Sequence, residues 1–186
     1  MKKIMFNDKY GLTQAVLEGR KTQTRRTFLK PGEETLLDGI TSEYLISVKS
    51  RYKVGETIAI AQSYKDIHAE ILREVGDWDL KKEFMQSKGY ANKMFVRAEK
   101  MPHAIRITNV RVERLQYIRE EDCMKEGIWR DDNVGLEGTT YWYHGLANSS
   151  FRTPQEAYAS LIDSISGKGT WASNPYVFVY DFELIN

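Results

Sequence analysis

Apolar positions along the chain predict a series of strands separated by short helices. Residues 57–61 read Thr-Ile-Ala-Ile-Ala, and a run that is apolar at nearly every position is typical of a strand buried on both faces. Alternating runs predict two longer strands, at 104–115 with a break near Asn109 and at 176–184. Shorter apolar runs predict further strands at 2–6, 44–48 and 94–98.

Three helices have recognisable boundaries. Leu12, Ala15 and Val16 have i, i+3, i+4 spacing, and Gly19 follows where a helix commonly ends. The segment 153–156 reads Thr-Pro-Gln-Glu, which combines a capping residue, a proline at the first helical position and a capping-box glutamate. A third helix is predicted at 119–125, closed by Gly127. Two short helices are expected within 65–89, and residues 129–150, rich in Gly, Asp and Asn, are expected to form a loop.

The composition narrows the classes of function. The chain has 186 residues, a length typical of one domain, and 27 cationic against 26 acidic residues. This balance excludes a globally basic nucleic-acid binder and leaves only a local basic patch. One cysteine, Cys123, excludes a disulfide framework and favours a cytoplasmic location, while its acidic neighbours disfavour a reactive thiolate. Neither an apolar run long enough for a membrane span nor a metal-ligand spacing is present, and no cofactor motif occurs.

A basic segment follows the first helix. Five cations lie between positions 20 and 30 with no acid among them, directly after the helix-ending Gly19. Such a segment is either a solvated loop or a site for an anion or nucleotide. Within it, Gly19, Lys21, Thr24 and Arg26 form the pattern Gly-x-Lys-x-x-Thr-x-Arg.

This pattern resembles the signature of the ASCH superfamily, a branch of the PUA-like β-barrels. The order of elements agrees, and the chain is most similar to phage- and prophage-encoded members over residues 1–60, 101–128 and 151–186. The resemblance implies an α+β, PUA-like (ASCH) mixed β-barrel with short flanking helices and a helical insertion. It describes residues 1–186 as one domain, with insertions at 64–100 and 129–150.

The resemblance also implies a function. Members of the superfamily recognise RNA or modified nucleosides, and one small bacterial branch hydrolyses N-acetylated cytidine with a lysine and a threonine of this motif and a glutamate on a later helix. These correspond to Lys21, Thr24 and Glu126, although Glu120 and Glu121 compete for the glutamate. Along an ideal strand Lys21 and Thr24 would face opposite sides, so they can meet only if the backbone turns after Gly19.

Three functions therefore remain open. The chain is expected to bind RNA or a modified nucleoside, to remove an acyl group from a cytidine-type nucleoside, or to act as a phage accessory protein without a nucleotide ligand. Where phage-type members tend to carry a charged pair, this chain has Ala61 and Gln62, which changes the expected substrate. The residues expected to contact a ligand are Gly19, Arg20, Arg25, Arg26, Gln62, Trp142 and Trp171.

Overall fold

The strands form one five-stranded sheet and one two-stranded sheet. A computed structural model describes residues 1–29, 39–68, 82, 84–132, 138–145 and 150–185. The larger sheet has the order β1-β3-β4-β7-β2, in which β1 and β3 are parallel and all other neighbours are antiparallel; β5 pairs with β6. The strands are β1 (Lys3–Ile4), β2 (Gln23–Thr27), β3 (Thr57–Ile60), β4 (Ala104–Arg114), β5 (Trp129–Asp131), β6 (Thr140–Trp142) and β7 (Tyr176–Ile185).

Helices and short 3₁₀ turns connect these strands. None of the described helices is long and apolar enough to cross a membrane. The α-helices are α1 (Leu12–Leu17), α2 (Ser42–Lys49), α3 (Glu120–Lys125), α4 (Pro154–Ser166) and α5 (Thr170–Ser173). The 3₁₀ turns are Asp8–Tyr10, Lys88–Tyr90, Lys93–Phe95, Ala98–Lys100 and Leu115–Tyr117.

The prediction of a strand buried on both faces at 57–61 is confirmed for residues 58–61, whereas Thr57 is exposed. Ile58 and Ile60 belong to the main hydrophobic core, whereas Ala59 and Ala61 pack into a second, smaller cluster. That second cluster includes Tyr64, Phe84 and other residues of the predicted insertion. The strand is apolar throughout because it separates the two cores.

The best-defined sequence signals are also confirmed. Strand β4 pairs with β7 along almost its whole length, and their register shifts between Ile107 and Asn109, where a break was predicted. Helix α4 begins with a complete capping box, in which the Thr153 side chain accepts from the Glu156 backbone and the Glu156 side chain accepts from the Thr153 backbone. Its apolar face packs on the sheet, so local and tertiary preferences agree at this helix.

Three sequence predictions are wrong. Residues 44–48 lie in helix α2, which begins after the capping residue Thr41. Leu45 is the buried residue of this helix, whereas Tyr44 and Val48, which belong to the alternating pattern, are exposed. The run 94–98 forms parts of two 3₁₀ turns instead of a strand. The expected loop 129–150 contains β5 and β6.

The overall class is α+β with a mixed sheet, and the described strands do not close into a barrel. Strands β1 and β2 are the two edges of the larger sheet and do not pair with each other. Within the predicted helical segment 65–89, residues 68, 82 and 84–86 are helical, whereas 65–67 form a turn and 88–89 belong to a 3₁₀ turn. Positions 69–81 and 83 of that prediction fall outside the described residues.

Candidate functional site

A cavity of about 560 Å³ lies beside strand β2. One side of it is apolar and is built from α1, α4 and neighbouring residues, including Leu12, Leu161 and Ile162. The polar part of its lining contains five residues named by the sequence analysis, Lys21, Thr24, Arg25, Arg26 and Glu126. A cavity of this size, with mostly apolar walls and a few convergent polar groups, is typical of small-molecule sites.

Two glycines shape the backbone beside the polar end. Gly19 has φ 71° and ends the turn after α1, and the Lys21 amide then donates to the Ala15 carbonyl at 2.9 Å. Strand β2 begins only at Gln23, so Lys21 lies before the strand and can face the same cavity as Thr24. Gly127, with φ 101°, directly follows Glu126, and a Cβ at this position would lie 3.8 Å from Lys21 Cδ.

Lys21 and Glu126 form a buried ion pair. Their side chains are 2% and 5% exposed, and Lys21 Nζ lies 2.6 Å from Glu126 Oε2. Lys21 Nζ also donates to the carbonyl oxygens of Gln23 at 2.7 Å and Glu126 at 2.9 Å, so all three ammonium hydrogens have acceptors. Burial lowers the pKa of Lys21 below its ordinary value, while the neighbouring carboxylate of Glu126 opposes this change.

Arg25 holds the other oxygen of the same carboxylate. Its guanidinium is 0% exposed, and Nη1 donates to Glu126 Oε1 at 3.1 Å. Nη2 lies 2.7 Å from Glu113 Oε1 and 3.3 Å from Asp122 Oδ2. Although burial disfavours the charged form, Glu126 and Glu113 raise the pKa of Arg25 above its ordinary value. Arg25 was expected to contact a ligand, but its guanidinium contacts protein carboxylates and orients Glu126.

A larger polar network continues behind this pair, away from the cavity. Arg111 on β4 contacts Glu113, Asp122 and Asp181 at 2.7 to 3.2 Å, which joins β4, α3 and β7. The network fixes the end of α3 relative to the sheet. Because Glu126 follows α3, this arrangement also determines where its carboxylate lies.

Thr24 is the candidate nucleophile, and it occupies the cavity wall. The residue is 5% exposed, on β2 opposite Tyr180 of β7. Its hydroxyl has no hydrogen bond with any part of the chain that the structure describes, Lys21 included. A hydroxyl in this situation is available to a ligand.

Arg26 lies at the cavity with its side chain exposed. Its Nη2 donates to the Met5 carbonyl at 2.6 Å, which ties β2 to the segment after β1. The remaining N–H groups have no carboxylate partner among the described residues. The guanidinium is therefore both anchored and accessible.

Five of the expected ligand contacts lie outside the cavity. Gly19 shapes the turn, and Arg20 stacks on Trp129 at 3.9 Å, which in turn stacks on Trp142 at 5.1 Å. Gln62 is buried near the second core cluster with its side-chain oxygen unpaired. Trp171 packs edge-on against Tyr158 at 6.2 Å and therefore supports a cavity wall from behind.

Two lining residues were missed by the sequence analysis. Tyr158 matches the apolar pattern of helix α4, so the sequence gives no sign of its unusual hydroxyl. This hydroxyl is buried and has no hydrogen-bond partner among the described residues. Burial raises the pKa of Tyr158 well above its usual value, so the phenol keeps its proton. Lys93 comes from the predicted insertion, and its Nζ binds Asp8 Oδ2 at 2.6 Å and the Phe6 carbonyl. Only the fold brings either residue to the cavity.

Cys123 is buried, and burial raises the pKa of its thiol to about 12. The expected lack of a reactive thiolate is therefore confirmed, with burial as the main cause and the acidic neighbours adding to it. The described residues include no group of three or more His, Cys, Asp or Glu arranged to hold a metal ion.

Comparisons of the chain with protein-family models, with curated proteins and with solved structures gave no match.

Proposed function

We propose that this chain is an ASCH-like protein that binds a modified nucleoside in the cavity beside β2. The observation that carries the proposal is the convergence of Lys21, Thr24, Arg26 and Glu126 on one cavity. The first three come from an eight-residue motif, whereas Glu126 lies 105 residues after Lys21 along the chain. A PUA-like (ASCH) fold is part of the same proposal; the α+β class and the mixed five-stranded sheet are compatible with it, although the edge strands β1 and β2 do not pair.

The chemistry of the cavity suits a nucleobase and its sugar. Aliphatic side chains from α1 and α4 offer an apolar surface to the ring, while Thr24 and Arg26 offer hydrogen bonds to polar edges. An RNA chain is an alternative source of the same ligand, because a single unstacked nucleotide could enter the cavity. The third predicted function is an accessory role without a nucleotide ligand. The titration described next would favour this role if no nucleoside and no RNA bind.

Calorimetric titration with cytidine and N-acetylcytidine tests the binding proposal. We expect the wild type to bind N-acetylcytidine and Thr24→Val to bind it at least 10-fold more weakly, because the variant keeps the shape and loses the hydroxyl. Thr22→Val is the matched control, since Thr22 does not line the cavity. Absence of binding to both nucleosides and to a short RNA would refute the proposal and favour an accessory role.

A second candidate function, amide hydrolysis, is favoured by the unpaired Thr24 hydroxyl near a buried Lys21–Glu126 pair. Because burial lowers the pKa of Lys21 below its ordinary value, its amine gives up its proton more readily than that of an exposed lysine. The neutral amine would turn from the Gln23 carbonyl toward Thr24 and accept its proton as the hydroxyl oxygen attacks the acyl carbon. That proton would pass from Lys21 through the Glu126 carboxylate to the departing nitrogen, and water would hydrolyse the resulting threonyl ester.

Chromatography of N-acetylcytidine incubated with the protein tests this candidate. We expect release of cytidine by the wild type and by Thr22→Val. Thr24→Val and Lys21→Met should lower the rate by at least 100-fold. Circular dichroism of each variant shows whether the fold is retained. No release above buffer by a folded wild type would exclude hydrolysis and leave the binding proposal standing.

A further inference from the structure

The charges along the cavity are unevenly compensated. Three of its cations have carboxylate partners: Lys21 pairs with Glu126, Arg25 with Glu113, and Lys93 with Asp8. Arg26 differs from these three. Among the described residues, its guanidinium contacts the Met5 carbonyl and the ring of Phe6, whose centroid lies 5.9 Å from the guanidinium carbon. Among the described residues that line the cavity, Arg26 is therefore the one cation that forms no ion pair with a carboxylate.

The position of Arg26 is fixed well enough to select a ligand group. One N–H group is held by the Met5 carbonyl at 2.6 Å, which orients the planar guanidinium and reduces the entropy lost on binding. Lys93 is held by the carbonyl of the next residue, Phe6, and also lines the cavity. Its Nζ also donates to Thr13 Oγ1 at 3.3 Å, so a bound anion would compete with Asp8 for this ammonium. Asp8 is 56% exposed, and water weakens that pair by screening.

We infer that Arg26, with Lys93 as a second cation, binds the phosphate of a nucleoside monophosphate whose base and sugar occupy the cavity. This inference rests on the proposed nucleoside binding. A guanidinium donates two parallel hydrogen bonds to phosphate oxygens, and a terminal phosphate carries close to two negative charges at neutral pH, which suits two cations. An internal phosphodiester carries one charge and suits this arrangement less well. The ligand is thus a mononucleotide.

Titration of the full chain with paired ligands tests the inference. The probes are N-acetylcytidine, its 5′-monophosphate, a short RNA without a terminal phosphate, and inorganic phosphate. We expect the monophosphate to bind about 10- to 100-fold more tightly than the nucleoside, since charge-assisted hydrogen bonds are the stronger class. In Arg26→Gln the ratio should fall below about 3-fold, because the variant should weaken binding of the monophosphate far more than binding of the nucleoside.

Arg106→Gln is the control, because Arg106 lies exposed on β4 and pairs with Glu183 away from the cavity. It should keep the wild-type ratio. Added salt should weaken binding of the monophosphate more than binding of the nucleoside. Circular dichroism and the melting temperature of each variant identify any loss of fold. Arg26→Lys is a second variant, which keeps the positive charge and loses the pair of parallel N–H donors of the guanidinium.

The outcomes distinguish failure of the phosphate site from failure of the nucleoside-binding proposal on which it rests. Equal affinity of the wild type for nucleoside and monophosphate overturns the phosphate site and leaves nucleoside binding intact. Equal weakening of both ligands by Arg26→Gln also overturns it, as does RNA binding as tight as that of the monophosphate. If inorganic phosphate binds and Arg26→Gln abolishes this while no nucleoside binds, the anion site stands and the nucleoside proposal fails. If none of the probes binds, both are overturned.

Discussion

Replacing Glu126 by glutamine should strongly destabilise the protein. The carboxylate accepts from Lys21 through Oε2 and from Arg25 through Oε1, both buried. A carboxamide has one oxygen, so its NH₂ group must face one of the two cations. Unit charges 2.6 Å apart attract by about 6 kcal/mol at an effective dielectric constant of about 20, and desolvation offsets part of this.

We expect Glu126→Gln to lower the free energy of unfolding by about 3–5 kcal/mol, because it leaves buried positive charge uncompensated. For a chain of this length the melting temperature should fall by roughly 6–20 °C. Urea titration at pH 7, followed by circular dichroism, measures the change. Glu120→Gln and Glu121→Gln are matched controls, since both residues are exposed on the preceding helix, and each should change stability by less than about 0.5 kcal/mol.

Lys21→Met, Glu126→Gln and the double variant Lys21→Met/Glu126→Gln form a double-mutant cycle that measures the coupling between the two residues. The double variant's loss of stability should be smaller than the sum of the single losses by at least about 1 kcal/mol, because the two residues interact directly. Additive losses, or a Glu126→Gln protein within about 1 kcal/mol of the wild type, would contradict the claim that the ion pair is buried and tightly coupled.

Three further predictions concern the surroundings of the site. Tyr158→Phe should leave the melting temperature unchanged or raise it, because the buried Tyr158 hydroxyl lacks a hydrogen-bond partner among the described residues. Tyr143→Phe should lower the free energy of unfolding by about 1 kcal/mol, because it removes the 2.9 Å hydrogen bond to Ser160. Equal losses of stability in the two variants, measured by calorimetry, would contradict this. Burial raises the pKa of Asp122, but contacts with Lys125, Arg25 and Arg111 outweigh burial and lower this pKa below its ordinary value. The contribution of Asp122 to stability is therefore present above pH 3.8 and is lost as the pH falls through the lowered pKa. Asp122→Asn should flatten the acid limb of urea-unfolding profiles, and an unchanged limb would exclude this role. With a thiol pKa of about 12, Cys123 should resist a thiol reagent at pH 8 in the folded protein and react in urea; rapid labelling of the folded protein would refute its burial.

Predictions from the sequence succeeded where local interactions decide the structure. The capping box at Thr153, the turn at Gly19 and the doubly buried strand at 57–61 depend on neighbouring residues or on a continuous apolar run. They failed at 44–48, where an alternating pattern lay on a capped helix whose outer face is exposed. Alternation over five residues does not distinguish a strand from a helix when burial is slight.

The sequence by itself determined the residues of the polar motif and the elements around them. It named Lys21, Thr24 and Arg26 as a group and left Glu120, Glu121 and Glu126 as alternatives. Only the tertiary structure decided among these glutamates, because Glu126, the first residue after α3, is buried, whereas Glu120 and Glu121 are exposed. It likewise assigned Arg25 to an internal network and brought Tyr158 and Lys93 to the cavity. These contacts join residues far apart in sequence, and local periodicity carries no information about such pairings.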